Sequence, residues 1–269
     1  GTDNPPEMNN MQHTEEVKRI DYEPVQTPEL KLASPGAPLS WLRAGADDFR
    51  AAPLMSLVYG VLFALIGVAI TLASINQPQF TLTFWTGFLL VGPFLAIGLY
   101  RAAQLHEQGE KMEPGRCMKT LMRNKSQVAV FMVLMLLIMI AWIRVSTLMV
   151  ALWFGQLSPG IEAFTSALDS AEGLVFLGVL FATGGIFAFI VFAASALTLP
   201  MLIDGKTELI PALVTSFRVV FQQPRVMLTW AAVVAGLTFI GMATMFVGLV
   251  FIFPLLGYAT WHSYRDLVK

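Results

Sequence analysis

Residues 101–125 read RAAQLHEQGEKMEPGRCMKTLMRNK, and six of them are basic: Arg101, Lys111, Arg116, Lys119, Arg123 and Lys125. Apolar runs flank this stretch on both sides, over 80–100 and 128–154. The next polar stretches outward, 75–80 and 155–173, contain no Lys or Arg. A chain that crosses a bilayer several times keeps its basic loops in the cytoplasm. The alternation therefore predicts an all-α polytopic membrane protein and also gives its orientation.

Composition agrees. In 269 residues, 56% are hydrophobic and the net charge is −1, while the mean hydropathy is +0.66. That is too apolar for an ordinary soluble domain, and no excess of positive charge calls for nucleic acid. Cys117 is the single cysteine, which leaves no internal disulfide and no cysteine-ligated metal site. The first 38 residues are polar and rich in Pro, Glu, Asn and Gln. Alone, such a segment buries too little surface to offset its ordering entropy. It is expected to be a cytoplasmic tail, either disordered or docked on a partner, ahead of a transmembrane domain over 39–269.

A hydrocarbon core of about 30 Å needs roughly 20 apolar residues per helix. The runs 53–74, 80–100, 128–154 and 174–203 each satisfy this, and 226–262 is long enough for two helices meeting near Gly241. Basic residues flank that last run on both sides, which requires an even number of crossings. The expected architecture is six transmembrane helices as three hairpins, with both termini inside. Amphipathic segments at 41–52, 117–127 and 210–223 precede the hairpins, and such segments lie in the membrane interface. Pro93, Pro200 and Pro254 fall in the closing helices, where a missing N–H kinks the chain. Small residues at Gly60, Ala64 and Gly67, and at Gly184, Gly185 and Ala188, allow close helix contact.

Residues that could carry chemistry are few. No acidic residue lies inside an expected span, and the histidines are His13, His106 and His262, of which only His262 adjoins one. No phosphate loop, zinc-protease motif or nucleophile elbow is present, so no enzyme, cofactor or metal site is expected. Arg144 is the one charge within an expected span. It is either functional or reaches the outer headgroups and the acidic residues Glu162, Asp169 and Glu172. A short outer helix over 158–171 would form a lid. Tyr258, Trp261, His262, Tyr264 and Arg265 cluster at the exit of the last helix. Aromatics there form an interfacial belt, or else a docking surface for a partner or a headgroup.

The stretch 256–265, LGYATWHSYR, resembles the ending of a bacterial integral-membrane family, domain of unknown function 2189, and 195–204, SALTLPMLID, is similar to a second stretch of it. The resemblance covers roughly 41 to 269 and implies a bacterial inner-membrane location. Some family members carry a cytochrome c oxidase label. A haem–copper catalytic subunit needs about six histidine ligands, which three histidines cannot supply. What remains is a non-catalytic accessory, assembly or scaffold subunit packed against a larger, for example respiratory, complex. The alternative is a small transporter or lipid-handling protein in contact with membrane lipids.

Overall fold

In the computed structural model, the described residues are 26–74, 85, 87–89, 92–113, 124–155 and 161–269. Among them the chain is helical, and its only β-pairing is an isolated bridge between Leu30 and Val268. The expected turn at 76–79, most of the segment 117–127, and residues 1–25 of the tail lie outside the described residues.

The first helix, the amphipathic α1 (Ala37–Ala51), runs into the candidate span α2 (Pro53–Ser74) through Ala52, at φ −139°. Proline disfavours helical geometry in the residue before it yet is well suited to the first position of a helix. Ala52-Pro53 is therefore a sharp joint between two helices. The same device recurs later in the chain, where the amphipathic helix α8 (Leu209–Gln222) meets α9 (Pro224–Ala243) at Gln223-Pro224. Between these joints lie α3 (Ile97–Glu107), α4 (Lys125–Phe154), the short α5 (Ile161–Ala167), α6 (Ala171–Ser195) and α7 (Thr198–Asp204).

Among the described residues five helical stretches are long and apolar enough to cross a membrane: Pro53–Ser74, Gly87–Glu107, Lys125–Phe154, Ala171–Asp204 and Pro224–Ala243. The run 226–262 resolves into α9 and α10 (Leu249–Leu267). The break falls at 244–248 rather than at Gly241. Gly241 is instead a packing position, where an added Cβ would lie 2.4 Å from Leu249. The turn is made by Thr244, whose hydroxyl accepts from the Gly248 N–H, and by Met245 and Phe246 at φ 54° and 66°. Left-handed backbone at two bulky residues is held there because Phe246 is buried against Phe88 and Trp85.

The three sequence prolines act differently. Pro93 precedes a break at Ala96, before α3. Pro200 sits in the first turn of α7, just after α6 ends at Ser195. There Ser216 of α8 staples the break, accepting from the Leu197 N–H and donating to the Ala193 carbonyl. Pro254 lies inside the continuous α10, and its missing N–H leaves the Val250 carbonyl without its helical partner.

Helix α10 packs on α1, α2, α3, α7 and α9, and more extensively on α1 and α2 than on its chain neighbour α9. Contact is made at the level of the backbone. A Cβ on Gly60 of α2 would lie 1.9 Å from the Val250 carbonyl oxygen, and one on Gly45 of α1 would lie 2.9 Å from the Leu255 oxygen and the Ala259 nitrogen. Gly178 of α6, by contrast, faces open space. Two alanine substitutions should therefore move stability in opposite directions. Gly60→Ala must separate two helices and should cost about 2 kcal/mol, whereas Gly178→Ala should gain up to about 1 kcal/mol of helix propensity. Thermal midpoints in detergent micelles measure both, and equal shifts of the two variants would contradict the close approach.

Candidate functional site

The ends of α1, α3, α7 and α10 meet in a buried polar cluster. Trp41, Gly45 and Asp48 recur at helical spacing and are the inward face of α1. Asp48 is 2% exposed. Its carboxylate accepts from two imidazoles, His106 Nδ1 of α3 at 2.5 Å and His262 Nε2 of α10 at 2.7 Å. A carboxylate only accepts, so these contacts place the His106 proton on Nδ1 and the His262 proton on Nε2. Ligand atoms about 2.0–2.2 Å from a zinc ion stand farther apart than this, so these are direct hydrogen bonds. Among the described residues no group of three His, Cys, Asp or Glu side chains is disposed to hold a metal ion.

Asp204, at the end of α7, is the second buried carboxylate. It accepts from Gln104 Nε2 at 2.7 Å and from the Tyr264 hydroxyl at 2.8 Å, with the Lys206 ammonium at 3.2 Å. Glu107 accepts from the Trp261 indole and from Arg265, and Asp266 accepts from the Trp41 indole. Ser56 donates to the Ala52 carbonyl, so at its 2.8 Å contact with Tyr258 the tyrosine hydroxyl is the donor. Buried polar groups without partners cost about 1–3 kcal/mol each, and this cluster leaves few. Beneath it, residues 26–36 run along the end of α10. Gln223 clamps them by accepting from the Ala33 N–H and donating to the Lys31 carbonyl, and Lys269 pairs with Glu29. That ammonium holds the Glu29 carboxyl below its ordinary pKa. This exposed ion pair is therefore present at neutral pH and weakens as acid protonates Glu29, while the Gln223 bonds and the backbone pairing do not depend on it.

On the membrane side of the cluster lies a cavity of about 920 Å³. Its walls come from the segment leading into α3, and from α4, α6, α9 and α10, including Phe94, Trp142, Phe187, Phe239 and Phe253. None of the described lining residues carries a charge. Phe239 is 73% exposed, so the cavity reaches the lipid-facing surface. Along α10 it extends from Leu249 to Thr260, about 16 Å at a helical rise of about 1.5 Å per residue.

The residues singled out from the sequence fall in different places. Tyr258 and Trp261, expected to face lipid or a partner, are instead fully buried and hydrogen-bond inward, because α10 is a central helix of this end. His262 and Arg265 are partly exposed and spend their polar atoms on Asp48 and Glu107. Arg144 is exposed on α4 with no ion pair among the described residues, so Glu162, Asp169 and Glu172 do not hold it. Of the prolines, Pro93 lines the cavity, Pro200 is buried in α7 and Pro254 is buried in α10.

Sequence reasoning missed Asp48, His106 and Glu107, since their partners are far away in the chain. The one local signal was the i, i+4, i+7 spacing of Trp41, Gly45 and Asp48. Removing the shared carboxylate strands two imidazole N–H groups. Asp48→Ala should destabilise the protein by about 3 kcal/mol, and His262→Ala should cost less because the Asp48–His106 bond survives. Thermal unfolding of both variants in detergent checks the order, and equal losses would argue against a shared acceptor.

No curated protein and no solved structure matches the chain. A family model does match, over residues 81–204, and its description is a predicted integral membrane protein. The matched stretch includes 195–204, one of the two motifs that carry the resemblance, and stops short of 256–265. Residues 81–204, which end with α7, are thus similar to the predicted integral membrane proteins of family DUF2189.

Proposed function

We propose that this integral membrane protein handles lipid: it holds an elongated apolar molecule, a lipid chain, between its helices and performs no chemistry on it. The observation that carries this reading is the uncharged cavity of about 920 Å³, open to the bilayer at Phe239. Its volume is at the upper end of the roughly 300–1,000 Å³ usual for ligand pockets. In a bilayer the molecules at hand to fill such a space are acyl chains. The dense polar cluster closes one end, so entry is lateral, between helices. Every described Lys and Arg except Arg144 belongs to the elements of that end. This supports a cytoplasmic placement for it, with both chain termini on the same side.

One observation favours a second reading, a non-catalytic accessory or scaffold subunit of a larger membrane complex. Gly178 and Gly185 of α6 lie seven residues apart on one exposed face, and a Cβ on either would meet nothing. Glycine inside a helix costs about 1 kcal/mol relative to alanine, and here no contact within the chain repays it. A partner helix packed on that face would.

The two readings respond to different substitutions. Ala188→Trp and Ala235→Trp, at two lining positions, should fill the cavity and reduce co-purified lipid by about tenfold. Gly185→Leu should leave lipid unchanged. Native mass spectrometry after gentle detergent extraction reads both. Lipid retained in full by the tryptophan variants would remove the lipid-handling reading. Loss of a stoichiometric membrane partner in Gly185→Leu alone would establish the accessory reading in its place.

A further inference from the structure

One polar group at the basic end of the cavity has no place in the packing described so far. Tyr100, in α3, is 4% exposed and lines the cavity. Its hydroxyl has no hydrogen-bond partner among the described residues, whereas Tyr258 and Tyr264 both use theirs. The hydroxyl is not sealed in protein either. Among the described residues the Nε of Arg101 is the one buried side-chain polar atom shut away without a partner. Tyr100 keeps contact with open space, and the space beside it is the cavity.

The position is specific. Tyr100 precedes Arg101 and lies one turn before Gln104, which bonds Asp204, so its ring is at the polar end of the cavity. Thr260 lines the same end, but its hydroxyl is already donated to the Leu256 carbonyl. Ser195 is likewise committed to the Val191 carbonyl. The Tyr100 hydroxyl is therefore the uncommitted donor and acceptor at this end of a space about 16 Å long, and the other uncommitted polar groups among the described lining residues, the Trp142 indole and the Thr238 hydroxyl, are far along α4 and α9 from it. A buried hydroxyl left without a partner is unfavourable in apolar surroundings, and a ligand oxygen there would relieve it.

We infer that the molecule held in the cavity is a neutral amphiphile: a long apolar body ending in one uncharged oxygen function, a hydroxyl or a carbonyl, that hydrogen-bonds Tyr100. The inference rests on the lipid-handling reading and narrows its ligand class. The described lining residues offer no counter-charge, and moving an unpaired charge into such surroundings is strongly unfavourable. A phosphate or carboxylate headgroup is thereby disfavoured inside the cavity. A purely hydrocarbon chain would fit the walls and leave Tyr100 unsatisfied.

The test uses the full chain in nanodiscs and three photoreactive probes with the same diazirine-bearing chain. One ends in a primary alcohol, one in a methyl group and one in a phosphatidylglycerol headgroup. Crosslinks are located by mass spectrometry, and each probe's affinity is measured by competition. The expected result is that the alcohol labels cavity positions such as Phe94 and Trp142 and binds best. Tyr100→Phe should weaken the alcohol about fivefold, as for one net hydrogen bond, and leave the methyl probe unchanged. If alcohol and methyl probes bind alike in both proteins, the cavity holds lipid but the polar anchor is wrong. Equal or tighter binding of the phosphatidylglycerol probe within the cavity overturns the neutral class. A fall in methyl-probe binding in Tyr100→Phe as large as that of the alcohol means that the hydroxyl maintains the cavity and does not select its ligand, which overturns the anchor. No labelling of lining residues by any probe removes the lipid-handling reading itself.

Discussion

Two backbones that nearly touch set the terms for the rest of this protein. At Gly60 and Gly45, α2 and α1 come so close to α10 that a methyl group would overlap main-chain atoms. Pro254 contributes from the other side, because it frees the Val250 carbonyl that points at Gly60. In a membrane the partners for a freed carbonyl are scarce, and a glycine face lets it approach Cα–H groups that bond it weakly. Close approach also squeezes water out from between α1, α3 and α10. Each polar side chain enclosed there must then find a protein partner. Asp48 finds two imidazoles, Asp204 a tyrosine, an amide and an ammonium, and Glu107 an indole and an arginine.

The molecule consequently has two regimes. At the basic end, short helices and helix ends interlock around carboxylates, and the aromatic side chains are committed to bonds. Trp41, for example, packs edge-on against Trp230 at 5.4 Å while its N–H bonds Asp266. In the membrane body the helices are splayed. Only 17% of the best window of Lys125–Phe154 and 6% of that of Ala171–Asp204 are buried within the chain. A rigid base and loosely packed walls suit a space whose contents can exchange sideways while the frame stays fixed.

Much of the frame was legible in the sequence. Apolar run length and the missing basic residues at 155–173 located the helices, since both report on solvation by the bilayer, which acts on local sequence. The joints at Ala52-Pro53 and Gln223-Pro224 are local for the same reason. The break after α9 was expected near Gly241 and falls at 244–248; glycine marks both turns and close contacts, and only the neighbour decides which. The C-terminal aromatics were read as facing outward because an exit cluster has that composition in a two-dimensional picture of the membrane. Burial instead depends on α1, some 200 residues earlier in the chain. The cavity could not be read at all, since it is defined by side chains that fail to meet.

The Asp48–His262 contact joins positions 214 residues apart, and this has a consequence for how the chain is made. Helix α1 leaves the ribosome early, with Trp41, Gly45 and Asp48 on a face built for a helix that does not yet exist. At about 5–20 residues per second, the wait for α10 is about 10–40 s. During that interval the Asp48 carboxylate has water in place of the His262 imidazole. The polar cluster can close only after α10 has been made. Residues 26–36 and the end of α10 can come together only then. A nascent chain stalled anywhere before residue 249 would present its finished outer helices around a missing centre, and such a species is the natural substrate for membrane quality control.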